Sequence, residues 1–324
     1  MSEGASAAAR MQWVECVPNI SEGRREEIIA QIVAPLRESP GVALLDVDSD
    51  ADHNRTVISF VGAPRPVERA VLALCRRAVE LIDLREHQGE HPRMGAVDVI
   101  PFVPIKGVEL EECVALSRRV GQEIWERLRV PVYLYEESAT RPERQNLAQI
   151  RRGQFEGFFA KIKEPDWAPD FGERVVHPSA GVVAMGARQP LIAYNVNLGT
   201  DRLEIAQKIA RAVRHSGGGL RYVKALGFAL RERGIVQVSM NMTQYQKTPL
   251  HRAFVLIQRE AQRYGVPVLG SEIVGLVPQA ALDQAAEYFL QLENFRREMV
   301  LEERVARAWA EQGAADGSEP AAPG

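Results

Sequence analysis

The chain has 324 residues, of which 46% are hydrophobic and 26% charged, with a formal net charge of -3 and a pI near 6.2. This length allows two domains or subdomains with a large core. The acidic balance argues against a nucleic-acid-binding surface, which needs concentrated basic charge. No apolar run approaches the roughly 18 to 20 residues that span a bilayer, and residues 1–10 lack the apolar core of a secretory signal. We therefore expect a cytoplasmic protein without nucleic-acid or membrane partners.

The three cysteines, Cys16, Cys75 and Cys113, lie far apart, each in an apolar stretch. No two of them have the spacing of metal ligands. This pattern is typical of small buried side chains in a reducing compartment. We therefore expect neither a cysteine nucleophile nor a zinc centre.

In the first half of the chain, strand-like and helix-like periodicities alternate. Ser21 is a plausible N-cap for the first helix, and Pro40-Gly41 breaks that helix. The predicted strands are 13–18, 42–48, 54–61, 96–103 and 130–135. The predicted helices are 21–38, 64–81 and 109–128.

The second half repeats this order with different residues. Its predicted strands are 191–197, 222–230, 235–243 and 266–270. Its predicted helices are 201–215, which Asp201 would cap, 249–264, and a final pair within 278–309. Val-Pro-Val opens a strand in both halves, at 130–132 and 266–268.

The order strand, helix, strand, strand, helix, strand in each half is that of the ferredoxin-like split βαβ unit. We therefore predict an α+β fold of two ferredoxin-like (βαββαβ) subdomains with a ligand cleft between them. Turn-forming residues and scattered aromatics at 163–186 suggest an inter-domain crossing. The predicted limits are a disordered tail at 1–10, subdomains at 11–185 and 186–310, and a disordered tail at 311–324.

Residues 87–98, between a predicted helix and strand, contain two histidines, two carboxylates and an arginine. Pro92 biases His91 towards an extended conformation, so we expect His91 on a short loop that a scaffold can hold. Histidine has an unperturbed pKa of about 6.5 and exchanges protons near neutral pH. A lone loop histidine is more often solvated or structural, so the case for His91 depends on its neighbours.

Asp46 and Asp48 lie two residues apart on a predicted strand and therefore point to the same face. A carboxylate next to His91 would set the tautomer of the imidazole and prepare it for proton transfer. The polar cluster at 50–55 has a rival interpretation as a calcium or surface turn, but it lacks the spacing of a twelve-residue calcium loop.

A zinc site formed by His87, Glu90 and His91 is conceivable. However, Pro92 excludes the continuous helix that presents two histidines four residues apart in zincins. We therefore expect no bound metal.

Two strands of the second half carry uncharged polar side chains on one face, because alternate strand residues share a face. These side chains include Asn195, Asn197, Gln237, Ser239 and Asn241. A solvated surface is one interpretation. The other is a site for a polar organic ligand, to which orientable amides are well suited; Asn195 and Asn241 are its candidate contacts.

Several segments, in collinear order over roughly residues 13–295, closely resemble the glutamate formimidoyltransferase family. They are 14–23 (VECVPNISEG), 44–48 (LLDVD), 54–57 (NRTV), 89–95 (GEHPRMG), 131–135 (PVYLY), 166–172 (DWAPDFG), 186–188 (GAR) and 274–278 (VGLVP). So many motifs in order make the resemblance specific. Animal relatives carry a fused cyclodeaminase domain, and this chain ends before one could begin, so we expect the free-standing transferase.

The resemblance implies transfer of the formimidoyl group of N-formimidoyl-L-glutamate to tetrahydrofolate, its co-substrate, in histidine degradation, by a homodimer. The family's catalytic histidine corresponds to His91 and its partner aspartate to Asp48. The folate-contacting segment corresponds to Gly172, Glu173, Arg174, Val175, Val176, His177, Pro178, Ser179, Ala180 and Gly181. Ala180 stands where some relatives have a bulky aromatic, so ring contacts there are not implied.

Both reactants carry carboxylates, so arginines should line their path. Arg55, Arg93 and Arg188 are candidates by position, although each could instead form a surface ion pair. One rival function is a metal-dependent amidohydrolase acting on formimidoyl- or formyl-glutamate through Asp48, His53, Glu90 and His91. A non-enzymatic rival is a folate-binding or assembly module.

Overall fold

The computed structural model describes residues 12–51, 53–89 and 92–316. The chain forms two compact units that meet between Pro190 and Leu191, five residues beyond the predicted limit at 185. Each unit contains one sheet with helices packed on it. No helix among these described residues is long and apolar enough to cross a bilayer.

The first unit contains the following strands and helices in chain order. They are β1 (Trp13–Cys16), β2 (Asn19–Ile20), α1 (Glu26–Glu38), β3 (Val42–Asp50), β4 (Arg55–Gly62), α2 (Pro64–Leu81), β5 (Val97–Lys106), α3 (Leu110–Leu128), β6 (Val132–Glu136), α4 (Leu147–Arg151), α5 (Gln154–Lys161) and β7 (Val183–Ala187).

The short strands β1 and β2 both pair antiparallel with β4 on one side and with β5 on the other, so together they act as one interrupted strand. The order β3, β4, β1/β2, β5 is that of the predicted ferredoxin-like unit. Beyond β5 the sheet continues with β7 and then β6, both in parallel pairing. Helix α2 contacts both α1 and α3, so the three helices cover one face.

Helix α1 shows why the predicted Ser21 cap is wrong. The hydroxyl of Ser21 donates instead to the carbonyl of Gly95 at 2.8 Å. The helix begins at Glu26, and the turn before it is closed by Glu22, whose Oε1 accepts from the amides of Arg24 and Arg25 at 2.9 Å each. Ile29, Ile32, Val33 and Leu36 form its buried stripe.

The stretch 163–186 is not an inter-domain crossing, because β7 lies inside the first sheet between β5 and β6. The segment that precedes β7 is held against β6 by a buried ion pair. Arg144 donates to Asp170 at 2.7 Å, and the other contact of Asp170 Oδ2 is the amide of Leu134 at 2.8 Å. Because both partners are buried, removal of either one would leave an uncompensated buried charge and destabilise the fold.

The second unit contains β8 (Ile192–Leu198), α6 (Leu203–Val213), β9 (Val223–Leu230), β10 (Ile235–Met242), α7 (Leu250–Arg263), β11 (Val268–Val274), α8 (Gln279–Leu290) and α9 (Leu301–Asp316). Its antiparallel sheet has the order β11, β8, β10, β9, again ferredoxin-like. Asp201 does not cap α6, whose N-cap residue is Arg202 without a side-chain cap. The chain is helical to Asp316, although a disordered tail is predicted from residue 311. The predicted tail at 1–10 lies outside the described residues.

Candidate active site

Asn54 holds three loops of the first unit together. It lies in the β3–β4 turn with φ of 48°, a left-handed conformation that asparagine tolerates better than most residues. Its Oδ1 accepts from the amide of Gly23, and its Nδ2 donates to the carbonyl of Gln88, both at 2.9 Å. The turn therefore contacts both the loop before α1 and the loop after α2.

Two glycines allow this close approach. A Cβ on Gly89 would lie 2.4 Å from the carbonyl oxygen of His53, and a Cβ on Gly23 would lie 2.2 Å from that of Asp50. Real Cβ atoms do not approach oxygen so closely, so any larger residue would push the loops apart. The absence of a side chain at both positions sets the distance between the turn and its neighbours.

His87 and Arg93 extend this network of hydrogen bonds into the 87–98 segment. His87 Nε2 donates to the carbonyl of Asn54 at 2.9 Å, while its Nδ1 accepts from Arg93 Nε at 3.2 Å. Burial, assisted by the positive charge of Arg93, lowers the pKa of His87 below its usual value. His87 is therefore a neutral imidazole with one defined tautomer.

Arg93 is engaged by α5. Its two terminal nitrogens contact the carboxylate of Glu156 at 2.9 and 2.7 Å, a bidentate ion pair. The Arg93 side chain is largely buried, whereas that of Glu156 is exposed. Arg93, a predicted carboxylate-binding residue, is thus joined to a carboxylate of the protein itself.

The predicted aspartates lie on the sheet face away from α1 and α2. Asp46, Asp48 and Asp50 pair in register with Ser59, Val57 and Arg55 of β4, and a bulge after Leu44 sets this phase. Asp48 is exposed. Asp46 and Asp48 do share a face, as predicted.

Arg55 lies at the end of this acidic row. Burial, assisted by the nearby charge of Arg151, lowers the pKa of Arg55 to about 10, while Asp98, Asp50 and Asp48 act in the opposite direction. The guanidinium remains a cation at neutral pH. A shallow depression is lined by Ser21, His53, Asn54, Arg55, His87, Arg93 and Asp98.

Asp98 anchors the start of β5 beneath that depression. It is buried, and its two oxygens accept from the amide of Met94 at 2.8 Å and from Arg151 Nε at 2.8 Å. The carboxylate therefore connects the 92–96 backbone to α4. This role is structural, and its signal in the sequence is only the position of an aspartate in an apolar strand.

The predicted folate segment, Gly172 to Gly181, ends in a tight loop. The amides and carbonyls of His177 and Gly181 bond reciprocally at 3.1 and 3.0 Å. His177 Nδ1 accepts from the amide of Ala180 at 3.0 Å, and burial lowers the pKa of this imidazole. Glu173, Arg174, Val175 and Pro178 are exposed, whereas Val176 and Ala180 are buried.

This loop packs directly against the residues that follow position 91. The amide of Ala96 donates to the carbonyl of Ala180 and that of Val182 to Met94, both at 2.9 Å. Gly181 has φ of 69°, and a Cβ there would lie 2.1 Å from the Met94 oxygen. Two predicted site segments, far apart in sequence, are thus in backbone contact.

Arg188, the third candidate arginine, lies elsewhere in the first unit. It hydrogen-bonds Tyr135 and is close to Glu15. Burial raises the pKa of Tyr135 to about 12 and also raises that of Glu15, which Arg188 partly counteracts. Arg188 therefore has acidic and phenolic neighbours of its own.

In the second unit, the predicted polar face of β8 and β10 exists and extends to β11. Asn195 Nδ2 donates to Glu272 Oε1 at 3.1 Å, and Gln237 Nε2 donates to the same oxygen at 2.8 Å. Asn241 is exposed opposite Lys224. Sequence reasoning missed Glu272 because it ended this strand at residue 270.

Glu90 and His91 lie outside the described residues. The structure therefore does not test the metal site that these two residues would form with Asp48 and His53. Within the ranges 12–51, 53–89 and 92–316, no three His, Cys, Asp or Glu side chains are grouped as metal ligands. Cys16, Cys75 and Cys113 are buried free thiols, as the sequence predicts.

Fold and site define a two-unit α+β protein, with titratable loops on one ferredoxin-like unit and an amide-rich sheet face on the other. The chain belongs to the formiminotransferase family. The model of the "Formiminotransferase domain, N-terminal subdomain" matches residues 13–188, and that of the "Formiminotransferase domain" matches residues 193–314. The resemblance seen in the motifs is thereby confirmed.

Among its relatives is the glutamate formimidoyltransferase of Streptococcus pyogenes serotype M1, 55% identical over 87% of this chain and 94% of that protein. The glutamate formimidoyltransferase of Thermoplasma acidophilum is 49% identical over 92% of this chain and 99% of its own length. The formimidoyltransferase-cyclodeaminase of Rattus norvegicus is 45% identical over 90% of this chain, but only 54% of that protein is covered.

Proposed function

We propose that the protein is an enzyme that transfers the formimidoyl group of N-formimidoyl-L-glutamate to tetrahydrofolate, which releases L-glutamate. Family membership and the names of relatives that align over nearly their whole length support this assignment. The observation that carries it within the molecule is the docking of the 177–182 loop on residues 94–96. It joins the segment expected to contact folate to the one that follows the expected catalytic histidine.

In this proposal His91 is the general acid and base, and Asp48 is its partner. The secondary amine of tetrahydrofolate attacks the amidine carbon and loses its proton to His91. The same imidazole returns a proton to the glutamate nitrogen as the C–N bond breaks, so no net proton is consumed. Proton transfer of this kind typically accelerates a reaction roughly 10²- to 10⁴-fold.

The contacts around the described ends of the 87–93 loop support this role. Asn54, His87 and Arg93 fix the loop to the β3–β4 turn and to α5. A loop held at both ends loses little conformational freedom when reactants bind, which favours productive geometry. Arg55 is a half-buried cation suited to a substrate carboxylate.

Other parts of the proposal rest mainly on the family. The co-substrate is tetrahydrofolate, with Gly172 to Gly181 among its contacts, and the enzyme acts in the cytoplasm in histidine breakdown. We also propose a homodimer. The exposed apolar side chains of Leu301, Val305 and Trp309, spaced four residues apart on α9, support an interface with another copy of the chain.

The named relatives do not favour the metal-dependent amidohydrolase. Incubation of the purified protein with N-formimidoyl-L-glutamate separates the two functions. The transferase releases glutamate only when tetrahydrofolate is added, and a chelator has no effect. Glutamate release that needs no tetrahydrofolate and stops with a chelator would overturn the proposal.

A further inference from the structure

The peptide bond between Arg93 and Met94 is held at both of its polar ends. Its carbonyl oxygen, on Arg93, accepts from the amide of Phe155 at 2.9 Å. Its N–H, on Met94, donates to Oδ1 of Asp98 at 2.8 Å. Because both groups have partners, this peptide cannot rotate without the loss of a hydrogen bond. It follows two residues after His91, the general acid and base of the proposed reaction.

Helix α5 supplies the first of these two partners. The amide of Phe155 lies in the first turn of α5, where helix geometry leaves N–H groups without an acceptor inside the helix. Glu156, in the same turn, binds the side chain of Arg93 with both of its carboxylate oxygens. Arg93 is therefore fixed to one helical turn through its backbone and through its side chain.

Asp98 is the second partner, and it is itself held in place. Its side chain is buried, and its Oδ2 accepts from Nε of Arg151 at 2.8 Å and also contacts Nη2. The two carboxylate oxygens thus have separate partners, the Met94 amide and the Arg151 guanidinium. A buried carboxylate that is paired in this way has little freedom of movement, so it defines the position of the Met94 N–H group.

Arg151 is anchored through helices α4 and α5. It is the last residue of α4, at the end where backbone carbonyls lack partners inside the helix. Nζ of Lys161, at the end of α5, donates to the carbonyls of Gln149, Ile150 and Arg152 at 2.9, 2.7 and 3.1 Å. This ammonium group joins the two short helices. Both partners of the clamped peptide are therefore supported by the same pair of helices.

The peptide groups that follow, within 94–96, have different partners. They bond the backbone of 180–182 at 2.9 Å, in the loop that is expected to contact folate. The side chain of Asp98 bonds the 93–94 peptide instead. Loss of its charge should therefore disturb the start of this segment, while the docking on 180–182 is retained.

We propose that Asp98 and Arg151 are positioning residues, which set the rate of formimidoyl transfer by fixing the 93–94 peptide; this rests on the proposed function. They act through the backbone that follows His91 and exchange no proton with the reactants. A group that transfers a proton must lie within hydrogen-bond reach of its target. A displacement of about 1 Å costs up to roughly 100-fold in rate. The ion pair therefore affects turnover more than it affects the binding of either reactant.

The alternative is an ion pair that only stabilises the fold, and the first unit contains a matched example. The side chains of Arg144 and Asp170 are also buried and paired. The carboxylate of Asp170 likewise accepts from a backbone amide, that of Leu134, at 2.8 Å. This amide belongs to β6 and not to the segment after His91. If both pairs only stabilise the fold, loss of either should lower stability and leave the kcat of the folded protein unchanged.

Asp98→Asn is therefore compared with Asp170→Asn in assays of the full chain. Asparagine keeps the size of the side chain and an oxygen for the backbone amide, but it removes the charge that faces the arginine. Steady-state kinetics with N-formimidoyl-L-glutamate and tetrahydrofolate give kcat and both KM values. Circular dichroism at the assay temperature gives the folded fraction, by which kcat is corrected.

We expect Asp98→Asn to lose roughly 10- to 100-fold in corrected kcat, with both KM values within about twofold of wild type. Asp170→Asn should have a lower thermal midpoint and the wild-type kcat. The pH profile of kcat in Asp98→Asn should keep the wild-type shape at reduced height, because the groups that transfer protons are unchanged. A profile of different shape would make Asp98 an acid or base of the reaction and contradict a positioning role.

Arg151→Lys is the second variant, which decides the matter if Asp98→Asn does not fold. Lysine keeps the positive charge but replaces the planar guanidinium with a flexible point charge. We expect a loss of roughly 3- to 10-fold in corrected kcat with unchanged KM values. Arg144→Lys is its matched control and should retain the wild-type kcat.

Wild-type corrected kcat in Asp98→Asn would overturn the inference, and so would wild-type kcat in Arg151→Lys. Equal losses of kcat in the Asp98 and Asp170 variants would also overturn it, because the effect would then be that of any buried ion pair. Formimidoyl transfer by wild type is measured first. Variants that match an active wild type refute the positioning role alone, whereas a wild type without transfer activity refutes the proposed function.

Discussion

The two units share a ferredoxin-like arrangement of four strands but distribute chemistry differently. In the first unit, titratable side chains occupy loops that are tied together through Asn54, His87 and Arg93. In the second unit, uncharged amides surround a single carboxylate on a sheet face. A ferredoxin-like sheet can thus carry either titratable loops at its end or uncharged polar side chains on its face, and the side chains decide which.

Replacement of His91 in the first unit should have the largest effect on turnover. His91→Ala should lose roughly 10²- to 10⁴-fold in kcat, because general acid–base catalysis is removed, while tetrahydrofolate binding persists. Steady-state kinetics and equilibrium titration measure the two quantities. His215→Ala, at an exposed position of the second unit, should retain full activity. Wild-type turnover in His91→Ala would remove the imidazole from the mechanism.

Asp48→Asn should have the next largest effect. Loss of a charged hydrogen-bond partner costs about 1.5–3 kcal/mol, which corresponds to roughly a 10- to 100-fold lower kcat. The fold should be unaffected because Asp48 is exposed. Asp46→Asn, on the same strand face, is the matched control and should slow turnover much less. Equal rates for wild type and Asp48→Asn would mean that this carboxylate has only a structural role.

Gly181→Ala tests the docking that distinguishes the first unit. Both Gly181 and Gly218 have positive φ, so alanine at either costs about 1–2 kcal/mol. Only Gly181 approaches another backbone, at 2.1 Å from the Met94 oxygen, whereas nothing lies within 4 Å of a Cβ on Gly218. Gly181→Ala should therefore lower the thermal midpoint more than Gly218→Ala and also raise KM for tetrahydrofolate. Equal midpoints would contradict the docking.

The smallest effect concerns His87 and pH. Burial lowers its folded-state pKa, so below about pH 6.5 the unfolded chain binds a proton that folded His87 does not. This contribution to stability is complete above about pH 6.5 and decreases as the pH falls towards the lower folded-state pKa. The midpoint difference between wild type and His87→Gln should therefore shrink on acidification.

Thermal unfolding between pH 5 and 8 measures that difference. His177, whose pKa is also lowered by burial, provides a parallel variant in another loop, and His177→Gln should show the same sign. A constant difference for His87→Gln across this range would mean that the imidazole does not titrate differently in the folded and unfolded states.

The repeated βαββαβ order was predictable because periodicity and turn residues are local signals. The cap of α1 was not, because Ser21 bonds the distant Gly95 instead of its own helix. Nor was β7, whose parallel partners lie far away in the sequence. The Val-Pro-Val motif does lead into a strand in both halves, but β6, after 130–132, has no counterpart in the four-stranded sheet, whereas β11, after 266–268, is the fourth strand of the second ferredoxin-like unit.

Within the site, the common face of Asp46 and Asp48 and the amide face of the second unit followed from strand alternation. The contact of Arg93 with Glu156 did not, because it joins a loop to a helix more than sixty residues later. Nor did the contact of His87 with Arg93, which depends on how the loop between them folds back. Residue type indicated which chemistry was present. Only the folded chain indicated which charges neutralise one another.

The position of β7 has a consequence for how the chain reaches its native state. Val99 of β5 pairs with Ala184, which lies 85 positions later in the sequence. Loop-closure entropy makes contacts so distant in sequence slow to form. A nascent polypeptide that ends before residue 183 therefore lacks the strand that joins β5 to β6, and the Met94 carbonyl and the Ala96 amide acquire their partners only after 180–182 have left the ribosome.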